Sequence, residues 1–345
     1  MNNHTTVNIS SITILKVLVI ILLLWFFFAI RNILILFLIS IIISSAIDPL
    51  ADYLYQKKVP RAFSVLIVYL LFLGIFGMVI SLLVPPITEQ FTELSQSNFY
   101  ESFVSKFGGF RDSLERYGIG DTITKNVQDF AGSFSQGLFN ATRNILTGLV
   151  SALTVLVISF YLSAEENGTR NFVKHLIPFK NQAYVMKLVG KIQRKMGSWV
   201  LGQLILSLVI FVLTYAGLLI LGVDYALVLA LIAGMLEIVP YIGPIISVIP
   251  AAFFAFIQNP PLALAVLILY LVVQQLENHL LVPLIMSKSV GLNPILVILG
   301  ILVGGSLGGL VGAIIAVPLL SGIQVFVYDV MNRGDLNELG EEVKE

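Results

Sequence analysis

Leu236-Glu237-Ile238-Val239-Pro240-Tyr241-Ile242-Gly243-Pro244-Ile245-Ile246 lies inside an apolar run, Tyr225 to Ile257, that otherwise reads as membrane helix. One carboxylate, two prolines four residues apart and a glycine interrupt it. Proline removes a backbone donor and clashes with the preceding turn, so an undisturbed helix cannot pass both positions. In lipid, freed backbone groups and an ionisable side chain persist only against protein or a water-lined cavity. The stretch is therefore expected to be the floor of a transport site, built from Glu237, Pro240, Tyr241, Gly243 and Pro244.

The surrounding composition agrees. The chain is 57% hydrophobic and 12% charged, with a mean hydropathy of +0.95, whereas soluble domains are about 25% charged. Apolar runs near membrane length recur throughout, so the expected fold is an all-α polytopic membrane protein with about eight hydrophobic segments. Twenty basic and twenty acidic residues balance, so no bulk field points to nucleic acid. The absence of cysteine excludes disulfides and thiolate metal sites. No cleavable leader is expected, because the first apolar run lacks a basic start and a small-residue cleavage site.

Residues 1–84 read as three transmembrane helices. Only Arg31 and Asn32 separate the first two, which suggests a tight hairpin, and Pro85-Pro86 closes the third. Residues 85–142 carry spaced aromatics and more acids than bases, as expected of a small amphipathic helical insertion outside the cytoplasm. Residues 143–198 hold a fourth span and a basic stretch, where seven bases from Arg170 to Lys195 face two acids, Glu165 and Glu166. Short basic loops stay in the cytoplasm. Lys57, Lys58 and Arg61 give the same orientation, so both termini are expected inside. The apolar face of Val185, Leu188, Val189 and Ile192 opposite the lysines suggests a helix lying on anionic headgroups, with Trp199 at the interface.

Residues 199–331 are the expected transport core, followed by an acidic cytoplasmic tail, 332–345. As single helices, Tyr225–Ile257 and Pro294–Met331 would be roughly 50 and 57 Å long, against a hydrocarbon core of about 30 Å. Each begins near a capping residue, Asp224 or Asn293. The second is interrupted by Gly304, Gly305, Gly308 and Gly309, with Gly312 continuing a four-residue spacing that lets another backbone approach. Two discontinuous or re-entrant helices, related as a pair, are the economical account; a plain kinked or tilted helix competes with it.

Between them, Tyr270, Gln274, Glu277 and Asn278 form a polar stripe at helical spacing beside Gln275. A desolvated carboxylate is easier to protonate, so Glu237 and Glu277 are candidates for a proton or a small cation, with Gln274, Gln275 and Asn278 as neighbours. The three histidines are scattered and no catalytic motif occurs. Neither enzyme activity, a cofactor nor a resident metal is expected.

Glu237-Ile238-Val239-Pro240-Tyr241-Ile242-Gly243-Pro244, then Gln274-Gln275-Leu276-Glu277-Asn278, Pro283, and Gly308-Gly309-Leu310-Val311-Gly312 leading to Ala316-Val317-Pro318, resemble the AI-2E (autoinducer-2 exporter) family of bacterial membrane proteins. The resemblance covers nearly the whole chain. It implies a bilayer-embedded transporter of the cytoplasmic membrane that assembles as a homo-oligomer, a pentamer. It also implies export of a small polar solute such as autoinducer-2, or Na+(Li+)/H+ antiport, between which the shared motifs do not choose. A non-transporting membrane scaffold is the alternative from another class.

Overall fold

The computed structural model describes residues 11–96, 148, 150–165, 168–175, 177–179, 182–286 and 291–342. Of the insertion expected over 85–142, residues 97–142 lie outside the described residues, and 85–96 belong to the helix that begins at Arg61. Among those described, the regular structure is helical throughout: α1 (Ser11–Ala29), α2 (Arg31–Gln56), α3 (Arg61–Gln96), α4 (Val150–Ala164), α5 (Gly168–His175), α6 (Gln182–Ile220), α7 (Ala226–Leu236), α8 (Ile242–Gln258), α9 (Pro260–Met286) and α10 (Pro294–Glu342). Among the described residues, four stretches are long and apolar enough to cross a membrane: α2, α6, α9 and Pro294–Asn332 of α10.

Several boundaries differ from the sequence reading. Ile30, at φ −92° and ψ 5°, joins α1 to α2 without reversing the chain. Hydrogen bonds from Ile30 N to Phe26 O and from Leu34 N to Ile30 O, both 3.0 Å, carry helical pairing across the junction. The expected hairpin is therefore a bend. Pro85 and Pro86 do not end α3, which runs to Gln96; a proline costs one helical bond and a kink but does not force a stop.

The basic stretch and the fifth span are one helix, α6, of 39 residues, about 58 Å long. Its basic end is therefore continuous with the span and not a separate helix. Lys and Arg are good helix formers, and Gly190 and Gly197 make room for neighbours: the Arg170 side chain packs on one and the Ser45 backbone on the other. Trp199 is 3% exposed, packed with Leu206, Val239 and Val317. It is a core residue and not an interfacial anchor.

α6 is the axis of the molecule. α2, α7, α9 and α10 all pack on it. At one end, α2, α3 and α4 join through polar contacts: Arg61 Nη1 to Asp52 Oδ1 at 2.5 Å, Arg61 Nη2 to Asp48 Oδ1 at 3.4 Å, and Arg61 Nε to Ser163 O at 2.8 Å. Ser163 Oγ donates to Ser44 Oγ at 2.8 Å, and Tyr69 donates to Ser159 Oγ at 2.6 Å. Small residues permit such close helix approach where no hydrophobic driving force separates helix from lipid.

Candidate functional site

The two interrupted segments are helical hairpins. In the first, α7 and α8 lie antiparallel about a turn at Glu237–Tyr241. Gln258 ties the base shut: its Nε2 donates to Gly222 O at 2.8 Å, and its Oε1 accepts from Asp224 N at 2.9 Å. Tyr225 and Phe254 stack edge-on at 5.9 Å nearby. Asp224 thus serves the base and is not the cap; Tyr225, with φ 63°, precedes α7. At the tip Tyr241 holds φ 66°, a region costly for a residue with a Cβ. A Cβ on Gly243 would collide with the Leu236 carbonyl, so the tightness of this turn demands the glycine.

In the second hairpin the break falls at Gly308 (φ −133°, ψ 17°) and Gly309 (φ 60°, ψ −146°). The Gly309 conformation is essentially confined to glycine. Limbs 294–307 and 310–342 then return antiparallel. Gly304 and Gly312 touch backbone to backbone, Gly300 seats Leu320, and a Cβ on Gly305 would lie 3.9 Å from Ala313. The four-residue glycine spacing thus serves the hairpin's own second limb. Its base is also tied by a glutamine, Gln324 Nε2 donating to Gly291 O at 2.6 Å. Asn293 caps it, accepting from Ile295 N at 2.9 Å.

The pattern Gly-x-Asx, hairpin, glutamine clasp therefore occurs twice, at Gly222/Asp224/Gln258 and Gly291/Asn293/Gln324, each time after a long helix. The two bases lie toward opposite ends of α6. The first meets Gly222 beyond its end. The second limb of α10 reaches its start: Gly322 faces Ile192 and Met196, and Asp329 accepts from Tyr184 at 2.7 Å and Lys191 at 2.6 Å. From residue 196 to 222 the separation along α6 is roughly 40 Å.

At the tip of the first hairpin sits Glu237, 0% exposed, with neither carboxylate oxygen hydrogen-bonded within the protein. Its backbone carbonyl accepts from Gln203 of α6. The side chain faces a cavity of about 10 Å³ lined by Thr214, Ser247, Tyr270, Gln274 and Glu277 together with apolar neighbours and Pro244. Glu277 is 6% exposed and accepts from Gln274 Nε2 at 3.2 Å. It opens a π-helical turn, Glu277–Leu281; such turns inside α-helices often mark functional positions. The Tyr270 hydroxyl is also buried without a hydrogen-bond partner, and Ser247 Oγ donates to Pro244 O at 3.1 Å.

Of the predicted site residues, Glu237, Pro244, Gln274 and Glu277 come together at this cavity, with Gly243 buried beside them. Pro240 and Tyr241 shape the turn without lining it. Gln275 and Asn278 are exposed and do not line it. At 100° per residue, Tyr270, Gln274 and Glu277 fall within about 60° of each other, while Asn278 and Gln275 lie about 80° and 140° from Tyr270. Sequence reasoning missed Gln203, Thr214 and Ser247, whose only signal was a polar side chain inside an apolar helix. A larger groove of about 680 Å³ against Phe37, Tyr161 and Phe172 contains none of the predicted residues.

Residues 14–332 match the family model described as AI-2E family transporter. YrrI of Bacillus subtilis (strain 168), named for transport, is 29% identical over 308 residues, covering 86% of each chain. YueF of the same organism, also named for transport, is 26% identical over 294 residues, 81% of this chain and 79% of its own. PerM of Escherichia coli (strain K12), named for permease activity, is 24% identical over 282 residues, 78% of this chain and 79% of its own.

Proposed function

The chain belongs to the AI-2E transporter family, and from that premise we propose that it exports a small polar solute, coupled to a proton or small cation held between Glu237 and Glu277. The observation that carries this reading is Glu237 itself. A carboxylate wholly buried, with both oxygens unpartnered, is costly unless a proton or a cation visits it. It sits where transporters of discontinuous-helix type place their sites, at the interruption between half-helices.

In this reading both hairpins are re-entrant and open to opposite faces of the bilayer. Support comes from their bases, near opposite ends of α6, and from limb lengths. α7 has 11 residues and α8 has 17, about 17 and 26 Å, each short of a 30 Å core. The basic start of α6 is cytoplasmic, which puts the base of the second hairpin inside and that of the first outside. Alternate opening of the two sides would expose Glu237 first to one solution and then to the other. The reading extends to a homo-oligomer in the bacterial cytoplasmic membrane.

A second reading, cation/proton antiport, is favoured by the cavity volume, which suits an ion and not an organic molecule. Proteoliposomes loaded either with autoinducer-2 or with a pH dye separate the two. Solute efflux accelerated by an inward proton or Na+ gradient supports export. Lumenal pH change driven by Na+ with no solute efflux supports antiport. If neither flux exceeds that of empty liposomes, the transport reading fails.

A further inference from the structure

Resting on the reading that Glu237 is the coupling carboxylate, we propose that Gln203 of α6 is its positioning residue. By bonding to the Glu237 main chain, Gln203 holds the hairpin turn on α6 and keeps the carboxyl group shut inside the cavity.

The need for such a residue arises in the turn itself. At the end of α7 the backbone tightens into bonds three residues apart, Ile238 N to Met235 O at 3.4 Å and Val239 N to Leu236 O at 3.0 Å, as helix ends commonly do. The next member of that series would run from the nitrogen of residue 240 to the Glu237 carbonyl. Residue 240 is proline and has no N–H to give, and Tyr241 has already left the helix at φ 66°. The sequence thus orphans one carbonyl, and inside a membrane no solvent replaces the missing donor. Gln203 Nε2 donates to it instead.

The donor comes from outside the hairpin. Among the described residues, this is the one hydrogen bond that the backbone of residues 237–243 makes to another element. The rest stay within the turn and its limbs, with Ile242 N on Pro240 O at 2.8 Å and Gly243 N on Val239 O at 2.9 Å. Gln203 is 2% exposed. One turn to either side of it, Trp199 and Leu206 join an apolar cluster with Val239 of the turn and Val297, Ile301 and Val317 of the second hairpin. In so dry a surround an unpaired carbonyl is costly.

The two limbs show what the bond prevents. α7 lies backbone-close on α6, since a Cβ on Gly234 would meet the Phe211 side chain and the Ser207 carbonyl, whereas α8 packs on α9. The turn joins the two limbs, and the Gln203 bond commits it to α6. Because that bond grips the main chain of Glu237, a slide of the turn away from α6 carries the carboxyl group with it. The same slide parts Ser247 of α8 from Thr214 of α6 and opens the cavity that both line.

The test is occlusion, read by cysteine labelling in a chain with no native cysteine. Ser247→Cys, at a position 1% exposed, reports on the cavity. Val65→Cys, buried in the separate cluster of α2, α3 and α4, reports on general loosening. Purified full-length protein in detergent is reacted with N-ethylmaleimide. Gln203→Met keeps the length of the side chain and removes the donor. It should speed labelling of Ser247→Cys about tenfold, equivalent to 1.4 kcal/mol of easier opening, and leave Val65→Cys at its original rate. Pro240→Ala restores an N–H at the missing place in the series, so adding it to Gln203→Met should return labelling close to the rate of the Gln203 parent. Every variant is required to elute with the wild-type hydrodynamic radius, with Gln203→Leu as a second donor-less variant; loss of the native elution peak in both would make Gln203 a folding residue and overturn the proposal. It is equally overturned by unchanged labelling of Ser247→Cys, by equal acceleration at Val65→Cys, or by acceleration that Pro240→Ala does not reverse. If labelling behaves as stated while the gradient response of flux survives Glu237→Gln, the positioning role stands and the coupling reading falls. If that response is lost in Glu237→Gln while Gln203→Met leaves labelling unmoved, the coupling reading stands and the positioning role falls.

Discussion

Gly304→Ala places one methyl group where the two limbs of the second hairpin touch. Its Cβ would meet the Gly312 carbonyl closer than real Cβ atoms approach, and would lie 2.9 Å from the Ala316 Cβ. Both obstacles belong to a packed helix, and neither is the far end of a flexible chain, so the limbs must separate. Overpacking of this kind costs about 1–3 kcal/mol. Gly305→Ala is the internal control: its only neighbour is the Ala313 Cβ at 3.9 Å, ordinary contact, and an added helix former should leave stability unchanged or raise it slightly. Gly309→Ala isolates backbone from sterics. Nothing crowds its Cβ position, yet φ is +60°, and that conformation costs a substituted residue about 1–3 kcal/mol. The assay is thermal unfolding of the purified variants in detergent, read as the temperature at which the native elution peak is lost. The expected order is Gly305→Ala near wild type, with Gly304→Ala and Gly309→Ala well below it. A Gly304→Ala variant as stable as Gly305→Ala would refute the hairpin and leave a kinked single helix.

Three further outcomes follow. The chain has no native cysteine, so single cysteines at Asn259 and Gly291 can be labelled with a membrane-impermeant thiol reagent; they should react from opposite faces, and labelling from one face would remove the opposed hairpins. Arg61→Met strips two carboxylates and a carbonyl of their cation and should destabilise by about 2–3 kcal/mol, less than the roughly 3–5 of a fully buried pair because Asp48 and Asp52 remain 26% and 49% exposed; an unchanged melting temperature would contradict the linking role. Tyr241→Gly should relieve the positive φ at the tip and leave the protein as stable or about 1 kcal/mol more so, whereas Tyr241→Val should melt lower, and the reverse order would show the tip to be unstrained.

Much of this was legible in residue order. Pro240 and Pro244 announced an interruption because proline acts on the backbone whatever surrounds it. Gly308-Gly309 did the same through their freedom to take conformations closed to other residues. Glu237 stood out because a carboxylate in an apolar run needs an explanation wherever the helix goes. What failed to show was which neighbour each exposed face would meet. The glycines at 304 and 312 advertised a close contact, but only the folded chain revealed the partner as its own returning limb. Gln275 and Asn278 are polar and sit beside Glu277 in sequence, yet their angular positions turn them away from the cavity. Thr214 and Ser247 are small polar residues of a kind that bonds back to its own helix, as Ser247 does to Pro244 O, so nothing local distinguished them. Pro85-Pro86 misled in the other direction, since a helix anchored by contacts earlier in its length can absorb the loss of two bonds.

The central claim is that Glu237 couples transport to an ion. The direct measurement is gradient-driven solute flux in proteoliposomes holding either the wild-type chain or Glu237→Gln, with and without an imposed proton or Na+ gradient. Glutamine keeps the shape of the side chain but can neither release a proton nor carry a charge. The account predicts flux in the wild type that rises with the gradient, and in Glu237→Gln a flux that no longer responds to it while the protein stays folded and reconstituted. Equal gradient dependence in both proteins would contradict it.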